Sequence, residues 1–213
     1  MTTINDIQQA LAWRYAVKIF DPAKPLAEDL FQAILEAGRL SPSSTGFEPW
    51  KFLVIENPEV RKRLQAVGYG QPKIVDAPKL VVIAARTDMR EHGVSELIDR
   101  TAAQQGVSME SLEAWKKIAE GTIGSKDDAY LPLWAKMQCY IPLGMMLETA
   151  ALLGVDAGPM EGFDPKGVDE VLGLHEKNLS VATMIAFGYR GDDPAATRPK
   201  VRRTAAEVVE YIR

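Results

Sequence analysis

Cysteine is nearly absent from this chain of 213 residues: Cys139 stands alone, which excludes an internal disulfide framework and any multi-cysteine zinc or iron–sulfur site. A reducing cytoplasm is the expected compartment. Histidine is almost as scarce. His92 and His175 are not at helical ligand spacing and no H-E-x-x-H motif occurs, so neither zinc catalysis nor another metal site is expected. The chain also lacks a G-x-x-x-x-G-K-S/T loop, a G-x-G-x-x-G fingerprint and a G-x-S-x-G elbow, the marks of P-loop, Rossmann and α/β-hydrolase enzymes. No apolar run approaches the roughly 20 residues that span a bilayer, and Met1 to Asp6 carries neither a basic n-region nor an apolar h-region, so no targeting signal or membrane partner is expected. A formal net charge of −4 gives no global attraction to nucleic acid, and an anion site has to be a local cluster. An enzyme built from this inventory is expected to leave its chemistry to a cofactor.

What remains is an ordinary globular composition, 46% apolar and 25% charged, which predicts a single domain over 1–213. Ile4, Ile7 and Leu11 line one face of a first helix over about Asn5 to Trp13, and Arg14 to Phe20 reads as extended. A second helix follows Pro25, with Leu30, Ile34, Leu35 and Ala37 as its apolar stripe, and stops before Pro42. Three buried strands are predicted: Lys51 to Ile55, Leu80 to Ala85, and one within Leu179 to Tyr189. Asn57-Pro58 caps a short helix that runs to about Val67. Residues 90–129 turn polar and helical, anchored by Leu97, Leu112, Trp115 and Ile118, and read as an excursion. Leu131 to Leu153 is long, apolar and expected to be a central buried helix interrupted by Pro142. Thr204 to Arg213 has helical composition. This surplus of apolar helix over a small sheet suggests a dimer.

The stretch Leu40-Ser41-Pro42-Ser43-Ser44-Thr45-Gly46-Phe47-Glu48-Pro49-Trp50 reads as a binding loop: small and hydroxyl-bearing residues expose backbone groups, while Pro49 and Trp50 stiffen the exit. A phosphorylated planar cofactor would call for several cations, guanidinium above all, and Arg14, Lys18, Lys200 and Arg202 are the candidates. From composition alone, a solvated C-terminal loop is the better account of Lys200, Arg202 and Arg203. Pro159-Met160-Glu161-Gly162-Phe163 reads either as a glycine turn after a buried helix or as part of a site.

Taken together, these segments resemble the flavin-mononucleotide site of the nitroreductase family. Arg14-Tyr15-Ala16-Val17-Lys18 is similar to the family's R-x-S/T-x-K signature, with Ala16 in place of the hydroxyl residue. Ser41 to Trp50 resembles its S-P-S-S-x-x-x-x-P-W loop, with Gly46 and Glu48 where relatives commonly carry asparagine and glutamine. The resemblance implies FMN contacts from Arg14, Tyr15, Ala16 and Lys18, and from Pro42, Ser43, Ser44, Gly46 and Glu48 of a partner subunit. It adds Gln71, Lys73 and Gln138, the loop Pro159, Met160, Glu161 and Gly162, and the cations Lys200 and Arg202. The backbone N–H of Glu161 is implied to face flavin N5.

The same resemblance implies an α+β fold: an α/β sandwich with a small central mixed, mainly antiparallel sheet surrounded by helices, in a domain-swapped type of homodimer. It implies a reductant, NADH or NADPH, that delivers hydride to N5, and a nitroaromatic, quinone or similar acceptor that takes it in ping-pong order. Residues 90–129 would form the substrate lid. Ene reduction, dehalogenation, flavin destruction and non-catalytic flavin binding stay open as alternatives on the same scaffold.

Overall fold

Leu80 to Ala85 and Val181 to Phe187 are too apolar to leave either face in water, and the architecture follows from covering both. In the computed structural model, which describes residues 2–213, β2 (Lys79–Arg86) and β4 (Leu179–Gly188) form the centre of a four-stranded sheet. Its order is β1-β2-β4-β3, with β1 (Trp50–Val54) and β3 (Asp156–Met160) at the edges. All three ladders are antiparallel. The mixed character expected from the sequence reduces to one isolated parallel bridge, Ala16 to Ala157.

Side chains alternate across the pleat of β2: Val81, Ile83 and Ala85 enter one core, and Leu80, Val82 and Ala84 the other. The helices α2 (Glu28–Arg39) and α7 (Tyr130–Leu152) close the first core; α3 (Pro58–Val67), α4 (Lys73–Asp76) and α8 (Pro165–Leu172) close the second. Each fully buried Val, Leu or Ile contributes about 1.5–3 kcal/mol relative to exposure. On β4 the alternation breaks at a bulge. Ile83 faces Thr183 and Ala84 faces Val181, which leaves Ala182 as the extra residue. Val181 and Met184 consequently face one core while Ala182 and Ile185 face the other, and both ends of the strand stay in register with their layers.

The fourth strand, β3, was not legible because Gly158 and Pro159 read as a turn. A proline is tolerated there because β3 is an edge strand with one side unpaired. The apolar face expected for α1 (Ile4–Trp13) is not in the core: Ile4, Ile7 and Leu11 are exposed, and Ala10 is the helix's buried residue. In the C-terminal segment, helix is confined to α9 (Ala205–Val208). The excursion is helical as expected, with α5 (Val94–Gln105) and α6 (Glu113–Gly124) following a π turn at Met89–Gly93. Leu97 and Leu112 anchor it, but Ile118 is exposed and Ile123 is the buried residue instead. Pro142 lies inside α7 without ending it.

Two contacts place the segments that matter for a site. The Val17 amide donates to the Ala157 carbonyl at 3.2 Å, so the Arg14 to Lys18 segment lies against β3. Gly158 makes this approach possible, since a Cβ there would sit 2.7 Å from the Val17 carbonyl oxygen. On the other side, buried Arg61 of α3 donates to the carbonyls of Ile55, Ala77 and Pro78, fixing the turn behind α4 and with it Lys73. Gly158→Ala is expected to cost about 1–3 kcal/mol, the scale of forced overpacking, measured as a lower urea midpoint with an unchanged slope.

Candidate functional site

The structure sorts the sequence-predicted residues into two groups, joined by α7. The first gathers at the end of β3. Lys73 is 2% exposed, and its Nζ donates to the Pro159 carbonyl at 3.2 Å. Gln71 Nε2 donates to the Gly162 carbonyl at 2.7 Å, so both ends of the Pro159 to Gly162 turn are tied down by side chains. Ala16 takes part through its backbone bridge to Ala157, a contact that needs no side-chain hydroxyl. Arg14 and Lys18 flank that bridge. Lys200 donates to the carbonyls of Leu11 and Ala12 at the end of α1, which brings the C-terminal cations beside Arg14.

Charges of one sign are therefore crowded together. Burial pushes the Lys73 ammonium down to about 8, with Lys18 adding to the shift. Arg14 is lowered by burial and by Arg202, and Lys200 by burial together with Arg14, Arg202 and Arg190. The Nε of Arg14 is buried and has no hydrogen-bond partner, although a buried donor normally finds one. Such a cluster is suited to a multiply charged anion.

The second group surrounds Ser41 to Trp50. Ser43 Oγ accepts from the Glu48 amide at 2.8 Å, and Gln138 Oε1 accepts from the Ser44 amide at 2.9 Å. Thr45, Gly46 and Glu48 have φ of 58°, 72° and 49°, so the loop folds through the left-handed region three times within four residues. Arg100 of α5 donates to the Gly46 carbonyl at 2.9 Å and stands 3.8 Å from the Glu48 carboxylate. The carboxylate at this position thus meets a cation from the excursion. Pro42 is exposed on the same loop.

Register shows how far apart the groups lie. Trp50 pairs with Ala85 and Ala85 with Ser180, while Met160 pairs with Met184. The groups lie on opposite edges, three interstrand gaps of about 4.8 Å apart across the sheet, and are also offset along it: Trp50 is level with Ser180, whereas Met160 is level with Met184 and Ala157, which Ala16 bridges, with Phe187. Helix α7 links them: Gln138 reaches Ser44, and the Tyr140 hydroxyl donates to Glu161 and to the Ala182 carbonyl left free at the bulge. Burial and the Glu161 carboxylate raise Tyr140 well above the usual phenol range. Tyr140 and Glu161 line a cleft of about 540 Å³ whose other walls include Met137, Phe163 and Val181.

Several supporting residues gave no sequence signal. Asp193 and the pair Asp156 and Arg190 sit behind the Arg14 to Lys18 segment. Arg190 binds the Asp156 carboxylate and lies 4.3 Å from the Trp13 ring and 4.7 Å from the Tyr15 ring. The Tyr15 hydroxyl donates to Asp193, and burial with that carboxylate pushes the phenol up to about 12. Asp192-Asp193-Pro194 reads only as a turn, because its partners are some 175 residues away. On α7, Trp134 is a core residue packed edge-on to Phe47 at 5.7 Å, and Tyr130 is exposed.

An antiparallel sheet between two helical layers, with cations gathered at one edge and a hydroxyl-rich loop at the other, defines an α+β protein. Residues 11–189 match the nitroreductase family, and the chain belongs to that family. A Staphylococcus haemolyticus protein that carries the provisional name NAD(P)H nitroreductase is 37% identical over 226 residues, with 97% of each chain covered. Among solved structures, a Bacillus subtilis protein provisionally named a nitroreductase superposes with a TM-score of 0.86 at 18% identity, covering 99% of this chain and 100% of that one. An Exiguobacterium sibiricum protein provisionally named a nitroreductase and solved in complex with FMN gives 0.81 at 18% identity, covering 100% and 98%.

The buried Lys73 makes a testable contribution to stability. Below about pH 8 it is charged in both folded and unfolded chains; between about 8 and its ordinary 10.5 only the unfolded chain keeps the proton, so rising pH favours folding across that window. Against Lys73→Met, the ligand-free protein is expected to gain relative stability from pH 8 to 10 and to show a constant difference below pH 8, as read from urea unfolding at each pH.

Proposed function

We propose that this protein is an FMN-dependent NAD(P)H oxidoreductase of one domain that works as a homodimer. The observation that carries the proposal is a pair of adjoining cation groups, Arg14 with Lys200 and Arg202 at the end of α1 and Lys18 with Lys73 beside Pro159, joined by the Arg14 to Lys18 segment, with the Arg14 Nε buried and unpartnered. This donor set fits a phosphorylated, electron-accepting cofactor. When bound, FMN supplies two-electron hydride chemistry at N5, between NADH or NADPH and a nitroaromatic, quinone-like or similar acceptor in ping-pong order. Arg14, Lys200 and Arg202 would hold the phosphate, and Lys18 and Lys73 the polar edge of the ring, where their charge favours the reduced anion. The Glu161 backbone N–H would orient N5, supported by the Lys73 and Gln71 bonds to the neighbouring carbonyls. No side-chain acid is required.

Two observations favour a dimer with shared sites. The hydroxyl-rich loop and the cation cluster of one chain lie on opposite sheet edges, so a second copy could bring its loop to the cluster. In addition, Leu133, Met137, Ile141 and Met145 form an exposed apolar row at four-residue spacing along α7, a self-complementary face for a twofold contact. Residues 90–129 then cap the acceptor side as a lid, held to the loop by Arg100.

Protein reconstituted with FMN and desalted is expected to keep the visible flavin spectrum and to bleach anaerobically on addition of NADH or NADPH. Arg14→Ala and Lys18→Ala should each weaken FMN binding by about tenfold or more, as loss of a charge-assisted contact requires. Wild-type affinity and turnover in both variants would overturn the site. Met137→Asp combined with Ile141→Asp is expected to give monomers in sedimentation that have lost FMN; monomers that retain it would refute shared sites.

A further inference from the structure

Asp193 lies beyond the segment that matches the family, yet its carboxylate is 7% exposed beside the cation cluster. Its Oδ2 accepts from the Lys18 amide at 2.8 Å, the Ile19 amide at 3.3 Å and the Tyr15 hydroxyl at 3.1 Å. Its Oδ1 accepts from the Ala195 amide at 2.9 Å, at the start of the chain leading to Lys200 and Arg202. One side chain therefore joins the Arg14 to Ile19 segment to the C-terminal arm. The amides of Lys18 and Ile19 follow directly on Val17, whose own amide bonds β3. Backbone direction from Val17 to Ile19 is thus set by two neighbouring anchors, β3 and Asp193, and the Tyr15 side chain just before Ala16 is tied to the same carboxylate.

A negative charge in this place has two effects of opposite sign on an anionic ligand. By Coulomb's law it opposes binding. By fixing the backbone from which Arg14 and Lys18 project, it removes the ordering cost that those long side chains and their loop would otherwise meet on binding. We propose that the second effect governs: Asp193 is a positioning residue of the anion site, locking the Arg14 to Ile19 segment and the C-terminal arm into one arrangement of cations. The inference rests on the reading of this cluster as a cofactor site. Its chemistry is specific to a carboxylate, since four donors converge on two oxygens and an amide offers only one good acceptor atom.

The opposite signs supply the test. Asp193→Asn removes the repulsive charge but leaves a side chain of the same size, and FMN affinity of the purified protein is read by quenching of flavin fluorescence. Positioning predicts binding weakened by about tenfold, the scale of one charge-assisted hydrogen bond. Tighter or unchanged binding overturns the proposal, because it leaves only the charge or no role at all. A residue that acted merely on global stability would lower the unfolding temperature and leave the dissociation constant in place, so both are measured. If Asp193→Asn does not fold, Tyr15→Phe removes one of the same bonds: severalfold weaker FMN binding supports the proposal, and wild-type affinity overturns it. Hydrogen exchange at the Lys18 and Ile19 amides is compared in ligand-free protein, where faster exchange in the variant is expected and unchanged exchange counts against it. Failure of the wild-type protein to bind FMN would fall on the cofactor reading, and this ligand-free comparison would still decide whether Asp193 fixes the segment.

Discussion

Burial of the β2 and β4 pair on both faces is the constraint from which the rest of the molecule descends. Strands as apolar as Leu80 to Ala85 and Val181 to Phe187 need a helical layer on each side, and α7 with α2, and α3 with α4 and α8, are those layers. Once both faces are covered, polar groups collect at the ends and edges of the sheet. The bulge at Ala182 serves both demands: it keeps β4 in register with the two cores and leaves a carbonyl to which Tyr140 donates beside Glu161.

The cation cluster is costly in the folded chain, and its surroundings show how that cost is borne. Lys73 is held by the Pro159 carbonyl rather than by a carboxylate, while Asp193 and Asp156 bind backbone amides, Tyr15 and Arg190 a layer behind. Net repulsion therefore persists among Arg14, Lys18, Lys73, Lys200 and Arg202. Residual positive potential is what an anion site requires, and full internal pairing would abolish it. The hydroxyl-rich loop follows the opposite rule, with its backbone curled through positive φ and its exposed amides satisfied by Ser43 and Gln138.

Much of this was legible before any coordinates. The strands Leu80 to Ala85 and Leu179 to Tyr189, the Asn57-Pro58 cap and the long helix Leu131 to Leu153 stand close to where their patterns put them, because local propensity and burial agree there, whereas the strand at Lys51 to Ile55 forms as the edge strand β1, none of whose residues is buried. β3 escaped because glycine and proline carry turn statistics, and only an edge position with a crossing backbone makes them strand residues. Periodicity gives helix α1 an apolar face but does not say which surface covers it, and Ile4, Ile7 and Leu11 are exposed.

By itself, the sequence determined the element types and the two-sided burial of the central strands, since these depend on side-chain chemistry and on spacing within some ten residues. Only the tertiary structure decided that Lys73 meets Pro159, that Lys200 comes beside Arg14, that the Ser41 to Trp50 loop stands on the other edge of the sheet, and that Asp193 ties the Tyr15 to Ile19 segment to the C-terminal arm. Those relations are set by strand order, a bulge and a backbone crossing over Gly158, which act between residues more than a hundred positions apart and leave no periodicity to read.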